Sequence, residues 1–169
     1  LADLGARVIK IERAGEGDFA RAYDATVHGQ ASHFVWLNRG KESIELDLTS
    51  ERGHRIALGL VDRADVVISN LSPGAMDRLG LGAAELRRRR DDLVVVVISG
   101  YGDAGPYRDR KAYDMLIQAE SGLCSVTGTP ETATKTGVPV SDIATGMYAL
   151  SAVQAALLRR ERTGAGATI

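Results

Sequence analysis

A single cysteine, three histidines, no surplus of either charge and no long apolar run set the first limits on this sequence. Cys124 alone cannot close an intrachain disulfide, which points to a reducing, cytoplasmic setting. His28 and His33 have no second ligand at metal spacing, so both are expected to be exposed loop residues and no metal site is expected. Lys and Arg total 21 against 22 Asp and Glu, a formal net charge of -1, which argues against a general nucleic-acid binder. No apolar stretch approaches the length of a membrane span, and the opening residues lack the pattern of a secretory signal. No repeat or low-complexity linker interrupts the chain. What is present is an ordinary globular composition, 44% hydrophobic and 25% charged over 169 residues, enough for one domain with a real core.

The patterning reads as alternating strands and helices. Ala6 to Glu12 alternates as a strand, followed by a turn from Arg13 to Gly17. Asp18 to Trp36 is mixed loop with short helical turns. Lys41 to Leu48 places Ile44, Leu46 and Leu48 on one strand face, and Thr49-Ser50 caps a helix from Glu51 to Arg63 whose inner face includes Ile56, Leu60 and Val61. Val66-Val67-Ile68 and Leu93 to Ile98 are apolar on consecutive positions, as strands buried on both faces should be. Short helices are expected over Ala75–Leu79 and Ala83–Arg90. The run Arg87 to Arg90 spreads around the helix cylinder, so a solvated helix end is the expectation rather than a nucleic-acid patch. Leu1 to Gly5 reads as the last turn of a helix with Gly5 as its left-handed cap, and Thr163 to Ile169 as a helix stop leading into another strand. The chain is therefore expected to be an internal piece of a longer protein. The order implies a Rossmann-like open parallel sheet with flanking helices, whose ligand crevice lies beyond the carboxyl ends of the strands.

Gly100-Tyr101-Gly102-Asp103-Ala104-Gly105 formally matches the dinucleotide fingerprint. The true motif opens a helix within its glycines, whereas here a polar stretch delays the next helix to about Ala112, so nicotinamide binding is not the reading. The loops do share basic and amide-bearing residues after strand ends: Arg13, Asn70, Arg78 and Lys111. Each taken singly is a solvated surface group; taken together they suit phosphates. A contact at about 4 Å contributes ~1 kcal/mol in water and ~4 kcal/mol at an effective dielectric of about 20.

The stretch Val140 to Leu158 reads as a loop delivering Asp142 to the start of a long helix with a small-residue surface: Ala144, Ala149, Ser151, Ala152, Ala155 and Ala156. The positive helix terminus favours an ionised Asp142. Two readings stand: a helix N-cap, or a carboxylate nucleophile.

Several long segments, in order, resemble the class III coenzyme A transferases, the group that includes formyl-CoA transferase, carnitine CoA-transferases and α-methylacyl-CoA racemases. They are Asp3 to Glu12, Asn38 to Leu48, Asn70 to Gly80, Gly100-Tyr101-Gly102 with Gly105-Pro106, and Arg162-Thr163-Gly164. The resemblance implies that residues 1–169 form a single CoA-binding α/β domain, an incomplete large domain without the family's small domain. It implies that Asp142 is the catalytic nucleophile and that Arg13, Leu46, Asp47, Leu48, Thr49, Asn70, Leu71, Ser72, Arg78, Lys111, Ala112, Tyr113 and Asp114 surround coenzyme A. It further implies CoA and acyl-CoA as substrates rather than a permanent cofactor, and an interlocked homodimer with no nucleic-acid or membrane partner. Family racemases carry a histidine where this sequence has Tyr113. A tyrosine is a poor base at neutral pH, so transfer is favoured over racemisation, with Asp114 capping or orienting. The segments Asp18–Asn38 and Thr134–Asp142 look most like members that handle small dicarboxylates such as succinate, malate, citramalate or itaconate. The alternatives are an acyl-CoA racemase or carnitine-type enzyme, and a non-catalytic CoA-binding homologue. The piece alone is expected to be inactive.

Overall fold

The computed structural model describes all 169 residues, which divide into two compact units, Leu1–Leu60 and Val61–Ile169. The first opens with a single 3-10 turn, Ala2–Leu4, ended by Gly5 at φ 91°, the left-handed helix ending expected from the sequence. Strands β1 (Val8–Arg13) and β2 (Lys41–Leu46) pair in parallel, Val8 opposite Lys41 and Arg13 opposite Leu46, so both strands end at one edge. Their connection holds a 3-10 turn at Phe19–Ala22 and the short helix α1 (Ser32–Leu37). Asp24 accepts the Ser32 N–H at 3.0 Å and its hydroxyl at 2.8 Å, which holds the start of α1. His28, at φ 51°, and Gly29, at φ 84°, form the tip of a two-residue turn closed by the Val27–Gln30 bridge.

Strand β2 stops at Leu46, two residues short of the expected end. The Asp47 carboxylate accepts the Thr49 N–H at 2.9 Å and the Thr49 hydroxyl at 2.6 Å, which turns the backbone out of the sheet. Ser50 Oγ then accepts the Gly53 N–H at 3.0 Å and caps helix α2 (Glu51–Val61). The buried positions of α2 are Gly53, Ala57 and Val61; Ile56 and Leu60 are only half-buried. Gly53 has no room for a side chain, because the Asp47 carbonyl occupies the place a Cβ would take.

The centre of this unit is ionic. Glu12 is 4% exposed, and its carboxylate accepts from Arg21 Nε (2.8 Å) and Nη2 (2.9 Å), the Ser43 hydroxyl (2.8 Å) and the Asp18 N–H (2.8 Å). Lys10 lies between Glu12 and Asp18. The Arg21 guanidinium stacks 4.0 Å above the Phe34 ring. The Arg21 hydrogen bond and the other donors hold the Glu12 carboxyl down at about 2 despite its burial.

The second unit is built on a parallel sheet in the order β3-β4-β5, from β3 (Val66–Ser69), β4 (Val94–Val97) and β5 (Ala167–Thr168). Strand β4 is central and buried on both faces, as its unbroken apolar run requires: Leu93 to Val96 are at most 2% exposed. Alternate side chains point to opposite faces. Val94 and Val96 meet Val153 and Ala156 of the long helix α7 (Val140–Thr163), while helix α4 (Ala83–Arg89), with its fully buried Leu86, also packs on β4. The small residues of α7 explain the close approach, since Ala149 and Ala156 both belong to this core. Helix α3 (Ala75–Arg78) precedes α4, and α5 (Asp114–Glu120) and α6 (Leu123–Thr127) precede α7. Gly164 at φ 72° ends α7, and β5 follows, as expected.

Two expectations need correction. Ile68 is 47% exposed, so β3 is not buried on both faces; it pairs only with β4 and lies at the sheet edge. The strands pair as β1-β2 and β3-β4-β5, all parallel as strand–helix alternation implied. Alternation specifies parallel direction and crossovers, but not which strands become neighbours. The arginine run is more engaged than a solvated helix end. Arg89 forms a two-pronged pair with Asp62 (2.5 and 2.6 Å), and Arg88 pairs with Glu85. Arg90 pairs with Asp92 and donates to the Ala64 carbonyl at 2.6 Å, and Arg87 donates to the Leu93 carbonyl at 2.9 Å.

Candidate active site

In the first unit the parallel register brings Arg13 and Leu46 side by side at the carboxyl ends of β1 and β2, with Asp47, Leu48 and Thr49 following directly. Arg13 is exposed and donates to Glu16 at 2.8 Å, a pairing that raises its already high pKa. Its loop is folded back: the Gly17 N–H donates to the Arg13 carbonyl at 2.8 Å, and the Gly15 N–H to Glu45 at 2.9 Å. Leu46 is 8% exposed, so its side chain belongs to the core and only its backbone borders the edge. Asp47 and Thr49 bond to each other, which holds the Asp47 carboxyl below its usual range. His33 is half-buried, its ring near Tyr23 (5.8 Å) and Trp36 (5.9 Å), in place of the exposed loop position expected. No group of three His, Cys, Asp or Glu side chains is arranged to hold a metal ion.

In the second unit Asn70, Leu71 and Ser72 follow the carboxyl end of β3 and are exposed; the Leu71 N–H donates to Ser69 Oγ at 3.3 Å. Arg78, the last residue of α3, reaches back to the Pro73 carbonyl at 3.4 Å. Beyond β4 comes the glycine loop. Helix α5 opens only at Asp114, well after the glycines, so no helix terminus faces a pyrophosphate within the motif. Gly100 has another reason to be glycine: a Cβ there would overlap the Cβ of Ala112. Lys111 and Tyr113 are exposed in the stretch leading into α5, Tyr113 at 71%.

A crevice of about 400 Å³ opens at the carboxyl end of β4, against the first half of α7. Val97, Ser99 and Gly102 border one side, and Ala144, Thr145 and Ala149 the other. The topology predicts a ligand crevice at such a strand end. Asp142 is exposed in the first turn of α7, and Thr145 and Ala149, three and seven residues on, share its helix face. The N-cap of α7 is Pro139, so Asp142 is not the capping residue. Its carboxylate stands one turn inside the positive end of a 24-residue helix.

Asp114 secures the residue before it. Its Oδ1 accepts the Ser141 N–H at 2.9 Å, and its Oδ2 accepts from Gln118 Nε2 at 2.7 Å. Gln118, fully buried, accepts the Thr136 N–H at 2.9 Å. Sequence reasoning missed Gln118. Its signal is faint: a glutamine four residues after an aspartate on a short helix, which puts both on one face.

The chain matches the CoA-transferase family III profile over residues 1–169 and belongs to that family. Among its relatives, an acetyl-CoA:oxalate CoA-transferase from Acetobacter aceti is 44% identical, the match covering 100% of this chain and 44% of that protein. A succinyl-CoA:glutarate CoA-transferase from Mus musculus is 40% identical, covering 98% of this chain and 38% of that protein. The crystal structure of a CAIB/BAIF family protein from Brucella suis superimposes with a TM-score of 0.92 at 41% identity, covering 99% of this chain and 46% of that one. The chain thus spans less than half the length of the relatives it matches. No helix is long and apolar enough to cross a membrane.

Proposed function

We propose that this chain carries the nucleophile and much of the coenzyme A contact surface of an acyl-CoA:carboxylate CoA-transferase that acts, with the remainder of its protein, as a homodimer. The observation that carries this reading is Asp142, exposed in the first turn of α7, the helix whose Ala144 and Thr145 line the strand-end crevice, its neighbour Ser141 tied by Asp114. A carboxylate needs no helper base at neutral pH, and its anhydride is an activated acyl group. In the proposed sequence a carboxylate oxygen of Asp142 attacks the donor thioester carbonyl; the C–S bond breaks, releasing CoA thiolate and leaving a mixed anhydride. The thiolate attacks the aspartyl carbonyl, freeing the donor acid and forming an aspartyl-CoA thioester. The acceptor carboxylate attacks that thioester, and the released thiolate takes the acceptor from the second anhydride, restoring Asp142. No proton or redox partner is needed.

Arg13, Asn70, Arg78 and Lys111, all exposed, are proposed to contact the phosphates, with Leu46 to Thr49, Leu71, Ser72 and Ala112 to Asp114 lining the coenzyme. For Leu46 the contact is assigned to its backbone. The acceptor is proposed to be a small dicarboxylate, supported by relatives named for oxalate and glutarate. The 169 residues alone are proposed to be inactive.

The test uses the full-length protein with succinyl-CoA or acetyl-CoA, oxalate or glutarate, and hydroxylamine. A hydroxamate on Asp142, found by mass spectrometry, is the expected result. Asp142→Ala should cut kcat by about 10⁴-fold or more while CoA still binds. A folded enzyme that binds CoA without forming an adduct is the non-catalytic homologue instead. Solvent deuterium entering the acyl α-carbon without transfer marks a racemase.

A further inference from the structure

We propose that Gln118 is the positioning residue for the Asp142 nucleophile: its buried amide joins Asp114, and through it the Ser141 N–H, to the loop that leads into α7. The inference rests on the reading of Asp142 as the nucleophile.

A glutamine is seldom fully buried without partners, and Gln118 is 0% exposed. Its amide can be oriented in only one way. Asp114 Oδ2, 2.7 Å away, only accepts, so the amide nitrogen must face it. The amide oxygen then faces the Thr136 N–H at 2.9 Å, which only donates. Asp114 spends its other oxygen on Ser141 N–H at 2.9 Å, an amide in the first turn of α7 that has no acceptor inside the helix. The chain of bonds therefore runs from α5 to residues 136 and 141, ending one residue before Asp142.

Apolar packing does little of this work. Residues 129–135 are exposed, Val138 is 56% exposed and Ile143 is 37% exposed. Besides these bonds the loop is tied by the Thr134 N–H to the Cys124 carbonyl at 3.0 Å. The polar links thus set where α7 begins, and with it the direction from which the carboxylate reaches a thioester carbonyl.

The test is made on the full-length enzyme. Gln118→Glu is nearly isosteric but sets a second carboxylate against Asp114, so the link holds only while the pair shares a proton and is lost once both are ionised. Protonated, the new acid can donate to Asp114 and accept from Thr136; ionised, it cannot. The expected kcat is lower by about 100-fold near pH 8, recovering relative to wild type toward about pH 5, with the acyl-CoA KM within about threefold throughout. Gln118→Met should show the loss at every pH, since it has nothing to titrate. Wild-type enzyme that forms no Asp142 adduct removes the nucleophile, and this role with it. Adduct formation in the wild type, with Gln118→Glu matching its kcat at all pH values, overturns the positioning role alone. So does a variant that melts earlier yet turns over at the wild-type rate below its melting temperature. Should Gln118→Glu fail to fold, Gln118→Met decides: reduced kcat at constant KM supports the role, and unchanged kcat overturns it.

Discussion

Around β1 and β2 the interior is organised by a carboxylate, Glu12, whose partners are two cations, a hydroxyl and a backbone amide. Around β4 the buried set is Leu86, Leu93, Val94, Val95, Val96, Val153 and Ala156, with no charged member. The strands differ to match. Ile9 and Ile11 of β1 are 37% and 38% exposed, whereas three consecutive valines of β4 are at most 2% exposed. Apolar burial is non-directional and indifferent to pH, so the β4 core tolerates conditions that the first unit does not. A buried ionic centre requires every partner in place, because each orphaned group keeps its desolvation cost. The first unit thus gains a defined loop geometry behind Arg13 through interactions that acid can remove.

The sharpest way to probe this contrast is to delete apolar volume from the second unit. Leu86→Ala should destabilise it by about 2–5 kcal/mol through lost transfer energy and a residual cavity. Urea midpoints should shift by the same amount at about pH 3 and pH 7, and a pH-dependent shift would contradict an apolar core.

Glu12→Gln should cost somewhat less, about 2–3 kcal/mol near neutral pH, because it weakens bonds to charged partners while keeping the shape. Its pH dependence has a fixed sign. The folded carboxyl is depressed to about 2, below its unfolded value of about 4.3. Its stabilisation is therefore complete above the unfolded value and is lost as pH falls through that window toward 2. Denaturation of wild type and Glu12→Gln should accordingly converge as pH drops from about 5 to about 2. Parallel curves across that range would show that Glu12 is not what acid attacks.

The smallest structural effect is expected at Arg13, which is exposed and paired only with exposed Glu16. Arg13→Ala should leave stability within about 0.5 kcal/mol. In the full-length enzyme it should raise the acyl-CoA KM by a factor corresponding to about 1–3 kcal/mol. If kcat falls and KM holds, the phosphate assignment is wrong.

Much of this was legible in order along the chain. The apolar run Leu93 to Ile98 announced a central strand, Gly5 and Gly164 announced helix endings, and the small residues of Val140 to Leu158 announced a helix that packs closely. These are local matters of periodicity, side-chain volume and permitted φ. The glycine loop showed where local reading is ambiguous: the same letters fit a nucleotide fingerprint, and the late start of α5 tells them apart. Other features had no local signal. Nothing in the sequence says that Ile68 would stand at a sheet edge, or that Arg87 to Arg90 would be spent on Glu85, Asp62, Asp92 and nearby carbonyls.

By itself the sequence determined the parallel α/β class, the family, and an aspartate at the head of a long helix, because these depend on residue types at short spacings. Only the tertiary structure decided that Pro139 rather than Asp142 stands at the N-cap position of that helix, that Glu12 lies at the centre of an ionic cluster, and that Asp114 and Gln118 hold the loop leading into that helix. Those outcomes depend on which distant groups meet in space, and a buried polar atom's partner is chosen by proximity and geometry rather than by its neighbours in the chain.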